Sequence, residues 1–358
     1  MECPFPQRPE TMNYYDSKRI SNSALSCIDP ETGGHPEKYW DFINGKFKQE
    51  SDSLALGDLI HKSLLENHQM VACHALPGEA IKSIVDTYIY NLYEVQEEQH
   101  FDLTTHKTLL LQLIRSYGYY NNRKDETVLD LVIKEGGDYF NFVLAHKGIT
   151  VISSEWLSII EKIRANTLKE PMMELLHPTL SGRLQVFTEK EVYFELASRN
   201  YLSQLEVFEC KAKIDRLIID HERRSYKLID LKSTSSLLEL FPLSVEKYKY
   251  YRQMSFYLQA CHQIVPPGYT LEGVYLVAIE TTNYCRSRLF KLDTDYLDKG
   301  ERDWRSLLRR VSYHYATNNW VNLWEELYNE GVYTLLSNGI LHSNKPISKN
   351  RRFLTHQV

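Results

Sequence analysis

Cys210–Lys211–Ala212–Lys213–Ile214–Asp215–Arg216–Leu217–Ile218–Ile219–Asp220, then His221–Glu222–Arg223–Arg224, then Ser225–Tyr226–Lys227–Leu228–Ile229–Asp230–Leu231–Lys232–Ser233–Thr234, is the stretch that decides the fold. Two runs rich in β-branched and apolar residues flank four polar residues, a pattern that predicts two strands joined as a hairpin. Alternate side chains of a strand share a face. Asp230 and Lys232 therefore project together, and Ile229 and Leu231 project the other way. On the preceding strand Lys211, Lys213 and Asp215 share a face. If the hairpin pairs Asp215 near Asp230, two carboxylates and an ammonium meet at one spot.

That meeting has a chemical use. Two carboxylates suit Mg²⁺, a hard cation that prefers oxygen ligands and keeps several waters. A metal lowers the pKa of a bound water and neutralises a phosphate oxygen. Lys232 is then placed to orient or deprotonate that water and to offset developing negative charge. The same alternation also occurs in surface hairpins laced with salt bridges, so other parts of the chain must decide between the two.

Outward from the hairpin, the pattern predicts a strand over about 184–196 before it and a helix over about 245–263 after it, stopped by Pro266–Pro267–Gly268. Strands are expected at about 271–280 and 286–292, and the C-terminal 60 residues return to helix. Upstream, a short helix starts near Ser21–Asn22–Ser23. A second covers Leu54–Glu66, with Leu56, Leu59, Ile60, Leu64 and Leu65 at helical spacing. Several amphipathic helices fill 79–148. Ser153–Ser154 opens another helix that runs to about Leu168, and a short one follows Pro171. Helices, strands, helix, strands, helices in that order predict an α/β core with helical additions. The divisions expected are 1–69, 70–148 as a helical insertion, 149–295 as the core, and 296–358 as a helical C-terminal extension with a basic tail at Lys345–Arg352.

The 358 residues are 43% hydrophobic and 25% charged, as in ordinary globular proteins. A net charge of −5 argues against a purely electrostatic nucleic-acid binder, so any such footprint is a local patch. The six cysteines, at 3, 27, 73, 210, 261 and 285, form no close pair and read as reduced thiols. The first residues carry no apolar signal segment, and no run is long enough to span a membrane, so the cytoplasm is the expected location. No phosphate-binding Gly-rich loop and no G-x-S-x-G element is present.

Two further signals stand in a telling order. Gly57 and His61 lie one turn apart on a helix face; the glycine permits close backbone approach, and the imidazole can enter a cleft. Gln253 and Tyr257 are likewise one turn apart on the helix after the hairpin, where an amide and a hydroxyl can hold phosphate oxygens or fix carboxylates. Separately, each is common on packed helices.

Taken together, GxxxH, then D…DxK on a hairpin, then QxxxY resembles the motif series of the RecB-like branch of PD-(D/E)XK nucleases, most nearly its RecE-type (exonuclease VIII) and lambda-type exonucleases. Ile20–Ser21–Asn22–Ser23–Ala24–Leu25 is similar to the family's IS-x-S-x-L opening. Residues 210–216 resemble its C-R-x-R-P-D-[RK], with Lys at 211 and 213 and Ile214 where proline is common. The resemblance covers about 13–66 and 150–265.

The resemblance implies a restriction-endonuclease-like core, a mixed sheet flanked by helices. It implies metal ligation by His61, Asp215, Asp230 and the Leu231 carbonyl, with Lys232 at the attacking water and Glu191 as an upstream acid. Gln253 and Tyr257 would support the site, and Lys211, Lys213, Lys249 and Arg252 would contact DNA phosphates. The implied cofactor is Mg²⁺, with Mn²⁺ able to substitute. The implied reaction is hydrolysis of DNA from duplex ends, 5′→3′, in phage-type recombination. A ring-shaped homo-oligomer and a single-strand annealing partner go with it. An iron–sulfur variant is disfavoured, because only Cys261 and Cys285 follow the lysine. A structure-specific or restriction-like endonuclease, and an inactive DNA-binding protein on the same fold, are the alternatives.

Overall fold

The computed structural model describes residues 13–46, 51–95, 102–169, 171–179, 182–321, 333–335 and 341–343. In chain order the elements are α1 (Asn22–Ile28), α2 (Pro36–Ile43), α3 (Asp52–Leu65), β1 (Met70–Cys73), α4 (Glu79–Val95), α5 (Lys107–Ser116), α6 (Asp125–Ala145), β2 (Thr150–Ser153), α7 (Ser154–Thr167) and α8 (Met172–Leu176). Then come β3 (Leu184–Arg199), β4 (Leu205–Asp220), β5 (Ser225–Thr234), α9 (Phe241–Lys247), α10 (Tyr250–Cys261), β6 (Thr270–Glu280), β7 (Ser287–Leu292), α11 (Thr294–Thr317), β8 (Tyr333–Leu335) and β9 (Leu341–Ser343).

Five strands form a mixed sheet in the order β3-β4-β5-β6-β7. Only β5 and β6 run parallel, and a parallel pair needs a crossover; α9 and α10 supply it. Alternation along the strands divides the core into two layers. On one face Leu217, Leu228 and Leu276 pack with α1, α10 and α11 through Leu25, Phe256 and Trp304. On the other, Ile218, Ile229, Leu231 and Val277 pack with α3 and α7 through Ile60 and Ile163. The result is an α/β structure, a mixed five-stranded sheet flanked by helices.

Serine side chains start the helices that matter for the site. Ser21 accepts from the Ala24 amide, Ser51 from Leu54 and Ser153 from Trp156, each satisfying an amide that the helix itself cannot. Two glycines bring elements together. A Cβ on Gly57 would stand 2.9 Å from Ser233 Oγ, so α3 can lie against β5 only without one. A Cβ on Gly300 would stand 2.5 Å from the Tyr251 carbonyl, where α11 crosses α10.

The chain departs from the sequence reading in three places. The helix expected over 245–263 is two helices, because Lys249 adopts a left-handed conformation (φ 55°) between them. The Lys249 ammonium is drawn 2.5 Å from Glu31, and Phe241, Tyr248 and Tyr250 stack across the break. The segment 70–148 is bracketed by two strands that periodicity did not indicate. β1 and β2 pair in parallel and hold its ends side by side, while α4, α5 and α6 share a core of their own through Val85, Tyr88, Ile114, Val132 and Phe140. Beyond Val321, where helix was expected, the described residues are the antiparallel pair β8 and β9. The basic stretch 345–352 lies outside the described residues. Among the described residues no helix is long and apolar enough to cross a membrane.

Candidate active site

The site forms where the sheet opens. The β4–β5 ladder runs from Asp220↔Ser225 to Arg216↔Ile229 and ends there. Further along β4, the residue 20 segment takes the place β5 has left: the Ile20 amide donates to the Glu209 carbonyl and the Lys211 amide to the Ile20 carbonyl. Asp215 stands at this fork. Its Oδ2 accepts the Leu231 amide at 2.8 Å, so a carboxylate replaces the next main-chain ladder bond.

His61, one turn beyond Gly57 on α3, reaches the same point. Its Nδ1 is 3.5 Å from Asp215 Oδ2 and 3.7 Å from Glu189 Oε1. One ligand atom each from His61, Glu189 and Asp215 all lie within 4.8 Å of one another. Glu189 faces Asp215 across β3 and β4, at a break in their ladder between Thr188↔Arg216 and Lys190↔Ile214. It has φ 49°, a left-handed conformation costly for a residue with a side chain. Lys213 Nζ is 2.6 Å from its other oxygen.

On the α10 side of the fork, Lys232 Nζ is 2.6 Å from Asp230 Oδ2; the aspartate is buried and the lysine partly so. Gln253 donates to Asp230 Oδ1 at 3.2 Å and lies 3.0 Å from the Tyr257 hydroxyl. Lys232 also faces the Tyr250 ring, 5.0 Å from its centroid.

The electrostatics follow from crowding carboxylates away from water. Burial, reinforced by the charge of Asp230, pushes Asp215 up to about 6. Burial alone would lower His61 and Lys232. The neighbouring carboxylates, Asp215 and Glu189 for the imidazole and Asp230 and Asp215 for the ammonium, outweigh it and raise both. Burial would raise Glu189, but His61 and Lys213 hold it down. Asp230 Oδ2 is met by the Lys232 ammonium, whereas the buried Glu189 Oε1 has no hydrogen-bond donor. A buried carboxylate oxygen without a donor, beside an imidazole and a further carboxylate, is part of the donor set a hard divalent cation takes, so the residues present fit a metal.

The sequence profile of the PD-(D/E)XK nuclease superfamily matches residues 38–326. The chain belongs to this superfamily. A solved structure from Eubacterium rectale, of a protein described only provisionally as an exonuclease, is similar at 12% identity over 89% of each chain, with a TM-score of 0.45. No curated protein matches. The superfamily assignment makes the chain a nuclease and agrees with its α/β core.

Against the residues expected from sequence, His61, Asp215, Asp230, Lys232, Gln253 and Tyr257 gather at the fork. Leu231 contributes its amide to Asp215, and its side chain is buried in the core. Glu191 does not join the metal-fitting group. It pairs across the ladder with Lys213, and Glu189, two residues earlier on the same face, stands there instead. The strand period admits both acids; the ladder break that selects Glu189 is a backbone feature with no marker in the sequence.

Two of the four expected phosphate contacts, Arg252 and Lys211, need correction. Arg252 is 1% exposed and is ion-paired to Asp29, with further bonds to Ser26 and Asn22, so it cannot reach a substrate. Lys211 is buried and donates to the carbonyls of Tyr14 and Ser17 at 2.7 Å, pinning the N-terminal segment to β4. Lys249 is paired with Glu31. Lys213 remains at the site, held on Glu189.

Proposed function

We propose that this nuclease is a metal-dependent deoxyribonuclease that hydrolyses phosphodiesters of duplex DNA from its ends, with Mg²⁺ held by His61, Glu189 and Asp215 and with Asp230 beside them. The observation that carries this reading is the cluster of the three metal-fitting groups next to the ion pair of the buried Asp230 with Lys232. A divalent cation bound there supplies an activated water and neutralises charge on the phosphate.

The chain's own groups do the rest. Lys232, charged and partly buried, is placed to orient the attacking water and to offset charge on the phosphate as it grows. Gln253 holds Asp230 in its rotamer, and Tyr257 holds Gln253, so the carboxylate is set before substrate arrives. The Leu231 amide does the same for Asp215.

The test is incubation of end-labelled linear duplex and of covalently closed circular duplex with Mg²⁺ or with EDTA, for wild type and Lys232→Ala. The reading predicts that wild type with Mg²⁺ degrades the linear molecule and spares the circle, and that EDTA and the variant abolish cleavage. Cutting of the circle would make the protein an endonuclease. No metal-dependent cleavage of either substrate would end the reading.

A further inference from the structure

The break between α9 and α10 is not needed for the sheet, yet it arranges aromatic rings beside the catalytic lysine. Three rings stack in series. Phe241 is buried, with its centroid 5.9 Å from that of Tyr250, and Tyr250 is 5.7 Å from Tyr248 at an interplanar angle of 27°. The inner part of the series meets the chemistry, since Lys232 Nζ lies 5.0 Å from the Tyr250 centroid. The outer part meets solvent, since Tyr248 is 51% exposed. Lys247 Nζ lies 5.1 Å from the Tyr248 centroid, and the exposed Leu243 stands on the same short helix. The acids nearest in sequence, Glu239 and Glu246, are engaged by Arg286 and Lys299. The step thus presents an aromatic ring and an exposed ammonium rather than an acidic wall.

We propose that Tyr248 is a stacking platform for an unpaired nucleobase one nucleotide step from the scissile phosphate, with Lys247 on the adjoining phosphate. The proposal rests on the nuclease reading and narrows its substrate to an end that has opened. Tyr250 stands between the two, in contact with Lys232 on one side and stacked on Tyr248 on the other. A ring stacks on any base without reading its identity, and such stacking contributes about 1–3 kcal/mol per base. A base still paired in the duplex has both faces covered by its neighbours, so the platform favours a terminal base that has left the stack.

The test uses linear duplexes carrying 2-aminopurine at the first, second or third nucleotide from one end, with Ca²⁺ replacing Mg²⁺ so that binding is read without cleavage. Wild type should change the fluorescence at one position only. Tyr248→Ala should lose that change and bind about 5- to 100-fold more weakly, Tyr248→Phe should keep both, and an abasic site at that position should weaken wild type but not Tyr248→Ala. In Mg²⁺ the alanine variant should raise KM with kcat little changed. Tight DNA binding and normal cleavage by Tyr248→Ala, with the fluorescence change intact, would overturn the platform and leave the nuclease standing. Absence of DNA binding by wild type would overturn both.

Discussion

Arg252 and Gln253 are neighbours on α10, and their side chains enter two buried polar clusters of opposite character. The Arg252 cluster is closed. Its guanidinium is matched by Asp29, Ser26 and Asn22, one acceptor for each of its three nitrogens. The Gln253 cluster is open. Three carboxylates, Glu189, Asp215 and Asp230, crowd around His61, Lys213 and Lys232, and Glu189 Oε1 has no donor. A buried charge is tolerated when its partners are complete. A cluster with a buried carboxylate oxygen that no donor reaches stays poised for a cation. The difference separates Arg252, whose charge is spent on the fold, from Lys232 on β5, whose charge faces the open cluster.

Changes on each side of this comparison should have effects of different kinds. The largest is expected in the open cluster: Lys232→Ala should lower the rate of linear-duplex degradation roughly 10²- to 10⁴-fold, read alongside a melting curve that confirms a folded variant. Next comes the closed cluster. Arg252→Met leaves Asp29 buried without its partner, and such a loss costs about 3–5 kcal/mol. Urea unfolding should show that loss, while specific activity in the cold stays within a few-fold of wild type. A raised KM for DNA with unchanged stability would return Arg252 to the role of a phosphate contact.

A smaller effect, of opposite sign, is expected from Asp215→Asn. Asp215 is held up to about 6, above its ordinary carboxylate range. The folded protein therefore keeps a proton that the unfolded chain has released. This contribution to stability is complete below the ordinary value and disappears as pH rises through about 6. Metal-free Asp215→Asn, which can still accept the Leu231 amide, should be more stable than wild type at pH 7–8 by on the order of 1–3 kcal/mol. Below about pH 4 the two should converge. By the same linkage, divalent-metal affinity of wild type should rise as pH passes upward through about 6, because cation and proton compete for one carboxylate; calorimetry at pH 5 and pH 7 reads it. Equal stability of variant and wild type at both ends of the pH range would show that the carboxylates are not crowded.

Much of the core was legible because it follows from period and composition. The hairpin at 210–234, the strands after it and the Gly57–His61 helix are local patterns that tertiary packing reinforces. The face shared by Asp230 and Lys232 follows from strand alternation. Features that depend on a single backbone angle, or on a partner distant in sequence, were not legible. Lys249 breaks a helix with no glycine or proline at the break, held by Glu31 more than 200 positions away. Glu189 displaces Glu191 at the site through one left-handed residue in a strand. Lys211 and Arg252 looked like surface cations until their acceptors, on the N-terminal segment, folded over them.

The most direct measurement is calorimetric titration of Mn²⁺ into wild type, Glu189→Gln and Glu191→Gln at pH 7.5. The account predicts that the divalent site of wild type is retained by Glu191→Gln and lost or strongly weakened in Glu189→Gln. Loss of binding in Glu191→Gln with Glu189→Gln unaffected, or no divalent binding by wild type, would contradict the assignment of the metal to the fork between β4 and β5.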